Sequence, residues 1–72
     1  MKIIEITTEF IKLQDLLKLA SLVSTGGEAK IAVVDGQVTV NGEVCEQRGK
    51  KIRPGDIVAY RGRELTVTYA DQ

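Results

Sequence analysis

The sequence predicts an α+β domain in which two short helices pack on a small, mainly antiparallel sheet of about four to five strands. Three observations point to it. A β-branched opening segment precedes any helical pattern, two consecutive stretches then repeat apolar residues at three-four spacing, and the second half alternates apolar and polar residues between turn-forming dipeptides. With 72 residues and no linker, low-complexity stretch or internal repeat, the chain is read as one domain over residues 1–72. A chain of this size buries only about 60% of its unfolded surface, so the core must be small.

In chain order, "KIIEIT" (2–7) has the composition of a strand, although the pair Ile3-Ile4 blurs its alternation. Leu13, Leu16, Leu17 and Ala20 then trace one helical face, leaving Gln14, Asp15, Lys18 and Ser21 off it. "STGGEAKIAVVDG" (24–36) reads as the second helix. Thr25 and Glu28 have capping-box spacing, Ala29, Ala32 and Val33 line a face, and Gly36 can take the left-handed conformation that stops it.

"VTVNGEV" (38–44) predicts a hairpin, because Asn41-Gly42 readily adopts the positive φ angles of a tight turn. Pro54-Gly55 suits the centre of a type II turn, followed by strands in "DIVAY" and, after Arg61-Gly62-Arg63, in "ELTVTY". The second half is thus read as a meander of short strands, and the first strand is expected to close the sheet against the last.

Composition excludes several functions. There is no histidine and Cys45 is the one cysteine, so an intramolecular disulfide, the usual zinc and iron ligand sets, and Ser/His or Cys/His nucleophilic pairs cannot be assembled. Cys45 is read as a small core or edge-strand side chain. Of the carboxylates, Glu43 and Glu46 lie near the hairpin, and Asp35 and Asp56 fall at turns, where they serve the backbone. No enzyme, metal or cofactor is expected. No apolar run approaches the roughly 18 to 20 residues of a membrane span, and the N-terminus has no signal-peptide pattern, so the expectation is a soluble cytoplasmic protein.

Formal net charge is zero, yet residues 48–63 carry Arg48, Lys50, Lys51, Arg53, Arg61 and Arg63 against the single acid Asp56, a net +5 that the rest of the chain balances with −5. Such segregation lets a neutral molecule offer a positive face to a polyanion. A charge run is more often a solvated surface, but the two-residue period of an extended segment would put Arg48 and Lys50 on related sides, with Arg53 as a further candidate. Arginine forks suit phosphate oxygens and lysine adds a point charge with reach. Ser24-Thr25-Gly26-Gly27-Glu28 offers a second candidate, since glycines at a helix start let a phosphate approach the backbone amides. Capping by Thr25 and Glu28 competes with that reading, and the Lys-Ser/Thr ending of a P-loop is missing. Phe10, Tyr60 and Tyr69 are scattered in apolar contexts, Phe10 at the start of helix one and the tyrosines on the sheet, which disfavours a base-stacking platform.

The stretch "KLQDLLKLASLVSTGGEAKIAVVDGQVTVNGEV" resembles the S-four type of RNA-binding domain, or alpha-L RNA-binding motif, whose pattern runs helix, turn, helix and a Gly-x-Val-x-Val-Asn-Gly hairpin. Here the hairpin stands as Gly36 to Gly42, and "IRPGDIV" matches the family's Gly-Asp-x-Ile/Val signature at Gly55, Asp56 and Val58. The resemblance covers about residues 10–60 and is greatest to small standalone bacterial members, through "LLKLA", "GGEAK" and "RGKK". It implies the alpha-L fold and binding of structured RNA, ribosomal or transfer, through both helices and the adjoining basic loop, with ribosome assembly or translation as the setting and the ribosomal particle as a further partner. Carried over by position, the helix-one cation falls on Lys12, the Ser-Arg opening of helix two on Thr25-Gly26, and the helix-two cation on Lys30. The chain departs from the family at Gln14, where an Asp is usual, and at Gly26, where an Arg is usual.

The expected reading is therefore a non-enzymatic, monomeric module gripping RNA phosphates with Lys12, Gln14, Lys18, Thr25, Gly26, Gly27, Lys30, Arg48, Lys50, Lys51 and Arg53. Asn41-Gly42 is scaffold, and Arg61 and Arg63 receive no role. The alternative is an adaptor docking the same charges on an acidic protein. A sheet-edge dimerisation module is the third possibility.

Overall fold

Alternation along the strands decides which sheet face is covered. A computed structural model describes residues 1–70; Asp71 and Gln72, which the single-domain expectation includes, lie outside the described residues. In β1 (Lys2–Ile6), Ile4 and Ile6 point inward while Ile3 and Glu5 are exposed, which resolves the ambiguity of the Ile3-Ile4 pair. The long C-terminal strand β7 (Arg63–Tyr69) buries Leu65 and Val67, and Val38, Val40, Val58 and Tyr60 continue the same inner face through β3 (Val38–Val40) and β6 (Ile57–Tyr60). With β4 (Glu43–Val44) these form one sheet of order β1-β7-β6-β3-β4. The first strand does pair with the last, in parallel, with Lys2 opposite Leu65 and Ile6 opposite Tyr69, and the other neighbours are antiparallel.

Helices α1 (Leu13–Leu19) and α2 (Gly26–Val34) cover that inner face. They contribute Leu13, Leu16, Leu17, Ala29, Ala32 and Val33 to a single apolar core in which no described polar or charged side chain is buried. Both helices end in the same hydrogen-bond pattern. After α2 the Gly36 amide reaches Val33 O and the Gln37 amide Ala32 O, and after α1 the Ser21 amide reaches Lys18 O and the Leu22 amide Leu17 O. Gly36 adopts the expected left-handed φ of 74°, and Ser21 takes a φ of 60° without being a glycine. Lys2 Nζ donates to Ala20 O at 2.9 Å, so a β1 side chain also caps the end of α1. No helix is long and apolar enough to cross a membrane among the described residues.

Two expectations need correction. The second half is not a simple meander, because after β4 the chain leaves the main sheet and its short strand β5 (Lys51–Ile52) pairs antiparallel with β2 (Ile11–Lys12), just ahead of α1. Two-residue strands are too short to display a period, so pattern reading passes over them. Nor is the basic segment extended throughout. The Lys50 amide donates to Gln47 O at 3.1 Å, closing a turn around Arg48-Gly49, so the expected alignment fails at Arg48, and Arg53, three residues from Lys50, falls on the Lys51 side of the strand.

Candidate nucleic-acid interface

The first amides of a helix have no partner within it. Lys12, the N-cap of α1, supplies no side-chain cap. Instead, the Leu13 amide donates to Lys50 O at 2.9 Å and the Gln14 amide to Arg48 O at 3.0 Å. The backbone of the basic turn is thus the cap of α1. Its carbonyls face the helix, and Arg48 and Lys50 remain exposed.

The β2–β5 pair extends this cluster. Lys12 lies directly opposite Lys51. Like charges at a cross-strand position oppose folding, so the pairing has a cost that a bound anion would relieve. Beside them, Lys51 Nζ stands 4.9 Å and Arg53 Cζ 5.9 Å from the centroid of the Phe10 ring. Residues 51 and 53 share a strand side, whereas Ile52 between them is fully buried. Phe10, expected to pack at the start of helix one, is half-buried just ahead of it and holds two cations on its ring.

The turn after Arg53 is fixed from the neighbouring hairpin. Gly55 has a φ of 96° and the Asp56 amide donates to Arg53 O at 3.0 Å, as the Pro54-Gly55 turn requires. The Asp56 carboxylate accepts from the Arg53 amide through Oδ2 at 2.9 Å and from Asn41 Nδ2 through Oδ1 at 3.1 Å. Asn41 also accepts from the Ile57 amide through Oδ1, and its own amide donates to Ile57 O. The one acid of the basic segment is therefore engaged with backbone and amide groups.

Lys12, Gln14, Arg48, Lys50, Lys51 and Arg53 are brought together in this way. Lys18 follows Gln14 by four residues and shares its face of α1. The second helix start is held separately. Thr25 Oγ1 accepts from the Glu28 amide at 3.1 Å, as the capping spacing predicts, while Glu28 Oε1 reaches one residue further back, to the Ser24 amide at 3.0 Å. Neither bond uses the amides of Gly26 or Gly27, both exposed, and a methyl group added at Gly26 would meet nothing within 4 Å. Lys30 is exposed on α2, which packs against α1. Among the described residues no side-chain hydrogen bond or cation–ring contact links Thr25, Gly26, Gly27 or Lys30 to the basic turn. Phe10, Asn41 and Asp56 organise the cluster and were absent from the sequence-predicted site. The signal for Phe10 was the match of Phe10-Ile11-Lys12 to Lys51-Ile52-Arg53, two triplets with a central isoleucine, within which Ile11-Lys12 pairs with Lys51-Ile52 across the small sheet. Among the described residues no group of three metal-ligating side chains occurs.

Comparison with known proteins fits this geometry. The sequence profile of the S4 domain family matches residues 4–68. The chain is 42% identical over 59 residues to the probable ribosome maturation protein RlbA of Bacillus subtilis (strain 168), spanning 82% of this chain and 83% of that one. It is 40% identical over 57 residues to the putative RNA-binding protein YbcJ of Escherichia coli (strain K12), spanning 79% and 81%. The solution structure of YbcJ from E. coli, described as revealing an alfaL motif involved in RNA-binding, superposes with a TM-score of 0.73 at 35% identity over 94% of this chain and 87% of that one. The 30S ribosomal protein S4e of Thermoplasma acidophilum shares the fold, with a TM-score of 0.68 at 23% identity over 92% of this chain and 35% of that one. Two helices on a mainly antiparallel five-stranded sheet, matched along nearly the whole sequence, make this an alpha-L fold, and the chain belongs to the S4 domain family.

Proposed function

We propose that this protein is a single-domain, monomeric RNA-binding module that grips phosphates of a structured ribosomal or transfer RNA and acts in ribosome maturation. The observation that carries the reading is the docking of the basic turn on α1, where the carbonyls of Arg48 and Lys50 take the first helix amides and leave four cations of one loop exposed beside Lys12. Cations held on a rigid frame lose little freedom when they meet a phosphate, and the repulsion between Lys12 and Lys51 is relieved by the same event. Gln14 and Lys18 extend the surface along α1, and Thr25, Gly26, Gly27 and Lys30 supply the contacts from α2. Gly26, where the family has Arg, offers backbone in place of a charge. The names of RlbA and YbcJ support the assignment to RNA and to ribosome maturation. The chemistry of the surface is electrostatic, with no catalytic role for any side chain in it.

The test is affinity capture from a bacterial lysate with and without ribonuclease, alongside a variant combining Arg48→Ala, Lys50→Ala and Lys51→Ala. Ribosomal or transfer RNA is expected with the unaltered protein and is lost on ribonuclease treatment, and the triple variant captures at least tenfold less. Ribonuclease-resistant capture of one acidic protein, with no RNA, would replace this reading with the adaptor.

A further inference from the structure

The chain contains two β-turns of the same kind built from different residues, and the difference is informative. Asn41-Gly42 has φ angles of 53° and 86°, and Arg61-Gly62 has 50° and 76°, so both central residues of each hairpin turn are left-handed. Asparagine, aspartate and glycine are favoured at the first of these positions because they tolerate that conformation, whereas a long side chain there is strained. Asn41 repays its place with hydrogen bonds to Ile57 and Asp56. Arg61 makes no such bond to its turn; its guanidinium lies over the Tyr60 ring, with Cζ 5.3 Å from the centroid. A strained residue that gives its turn one ring contact and no hydrogen bond points to a use outside it.

Its surroundings suit an anion. Leu22, Tyr60, Arg61 and Arg63 line one shallow concavity, and Lys2 and Arg63 line the next together with Glu64, the one acid of the two linings. Alternation along β7 puts Arg63 on the same sheet side as the buried Leu65 and Val67, the side the helices cover, and gives Glu64 to the opposite side. Two arginines thus converge beyond the C-terminal end of α1. They stand at the other end of β6 from the Pro54-Gly55 turn, so the four residues of β6, about 13 Å of strand, separate them from the basic cluster at Arg53. No single phosphate can reach both groups.

We infer that Arg61 and Arg63 form a second phosphate-binding site for the RNA, at the opposite end of the sheet from the basic turn. This rests on the RNA-binding reading and adds to it a statement about the ligand. Phosphates that are not neighbours must be presented together, which a folded or double-stranded RNA does with fixed spacing and a flexible single strand does not. The Tyr60 ring keeps the Arg61 guanidinium ordered before the RNA arrives.

The experiment compares the unaltered protein, an Arg61→Asn/Arg63→Gln variant and an Arg48→Ala/Lys50→Ala variant on a fluorescently labelled RNA hairpin with a stem of about 16 base pairs, over a salt series. Asparagine is the better turn residue, so Arg61→Asn alone is expected to raise Tm by about 2–4 °C, which removes misfolding as an explanation. The double variant at this site is expected to bind about tenfold more weakly and to make the slope of log affinity against log salt shallower by about one to two. Unchanged affinity and slope in that variant, with binding lost in the basic-turn variant, would overturn the inference and leave the RNA-binding reading standing. Failure of the unaltered protein to bind the hairpin at low salt would remove both.

Discussion

Phe10 illustrates how one side chain can matter to a binding surface without belonging to the core. Its ring carries Lys51 on one approach and Arg53 on another, at 4.9 Å and 5.9 Å. Each such contact at an exposed site is worth only about 0.5–1 kcal/mol. Its larger effect is to restrict two flexible cations that otherwise lose rotamer freedom when they bind. Replacing Phe10 with Leu keeps an apolar side chain at this half-buried position but removes the ring face. Urea denaturation of Phe10→Leu should therefore show a loss of about 1–2 kcal/mol, the sum of the two contacts at most, while RNA affinity measured by fluorescence anisotropy falls several-fold. A variant that binds as tightly as the unaltered protein would mean that Lys51 and Arg53 need no such support. Asn41 is the contrasting case. It was read from the sequence as a turn residue and is one, but its side chain also joins the hairpin turn to Asp56 and so to the Arg53 backbone. That bond crosses 15 residues of chain and depends on how β3 and β6 pair, which local pattern does not reveal.

At the level of elements, α2 separates what a helix start needs for stability from what it offers a ligand. Thr25 is needed, because its hydroxyl takes the Glu28 amide, and N-cap hydroxyls contribute about 1 kcal/mol. The glycine at position 26 is not needed by the fold. An added methyl group there meets nothing within 4 Å, and the residue lies in a helix with no positive φ. Gly26→Ala should accordingly stabilise the protein by about 0.4–1 kcal/mol in chemical denaturation, since alanine restricts the unfolded chain. The same variant should bind RNA more weakly if a phosphate approaches the helix start closely, and a tighter or equal affinity would take Gly26 out of the site. The elements themselves were legible where periodicity had room to act: both helices, the Asn41-Gly42 hairpin and the pairing of first strand with last all follow from residue pattern. The β2–β5 pair and the Arg48-Gly49 turn were not, because two residues carry no period and the turn is set by α1 drawing the Arg48 and Lys50 carbonyls onto its free amides.

For the molecule as a whole, a net charge of zero conceals a segregation of +5 over residues 48–63 against −5 over the rest of the chain. At physiological ionic strength the Debye length is about 8 Å, so in a molecule measuring 37 × 23 × 18 Å an exposed charge that does not touch the phosphate acts on it only weakly. On the proposed reading, binding strength follows the cations that touch phosphate and not the overall balance. If about five phosphates are engaged, log affinity should fall against log salt with a slope of about −3.5 to −4.5. Glu5→Gln removes a negative charge from the exposed side of β1 and changes the net charge by one, yet it is expected to leave both the slope and the affinity at 0.15 M salt within about twofold of the unaltered protein. Arg53→Gln changes the net charge by the same amount in the opposite direction and should lower the slope by about one, because it removes a contact. Titrating a labelled RNA hairpin with both variants over the same salt series separates the two explanations. Equal and opposite shifts would mean that the overall charge governs binding, and an effect confined to Arg53 would mean that the local surface does.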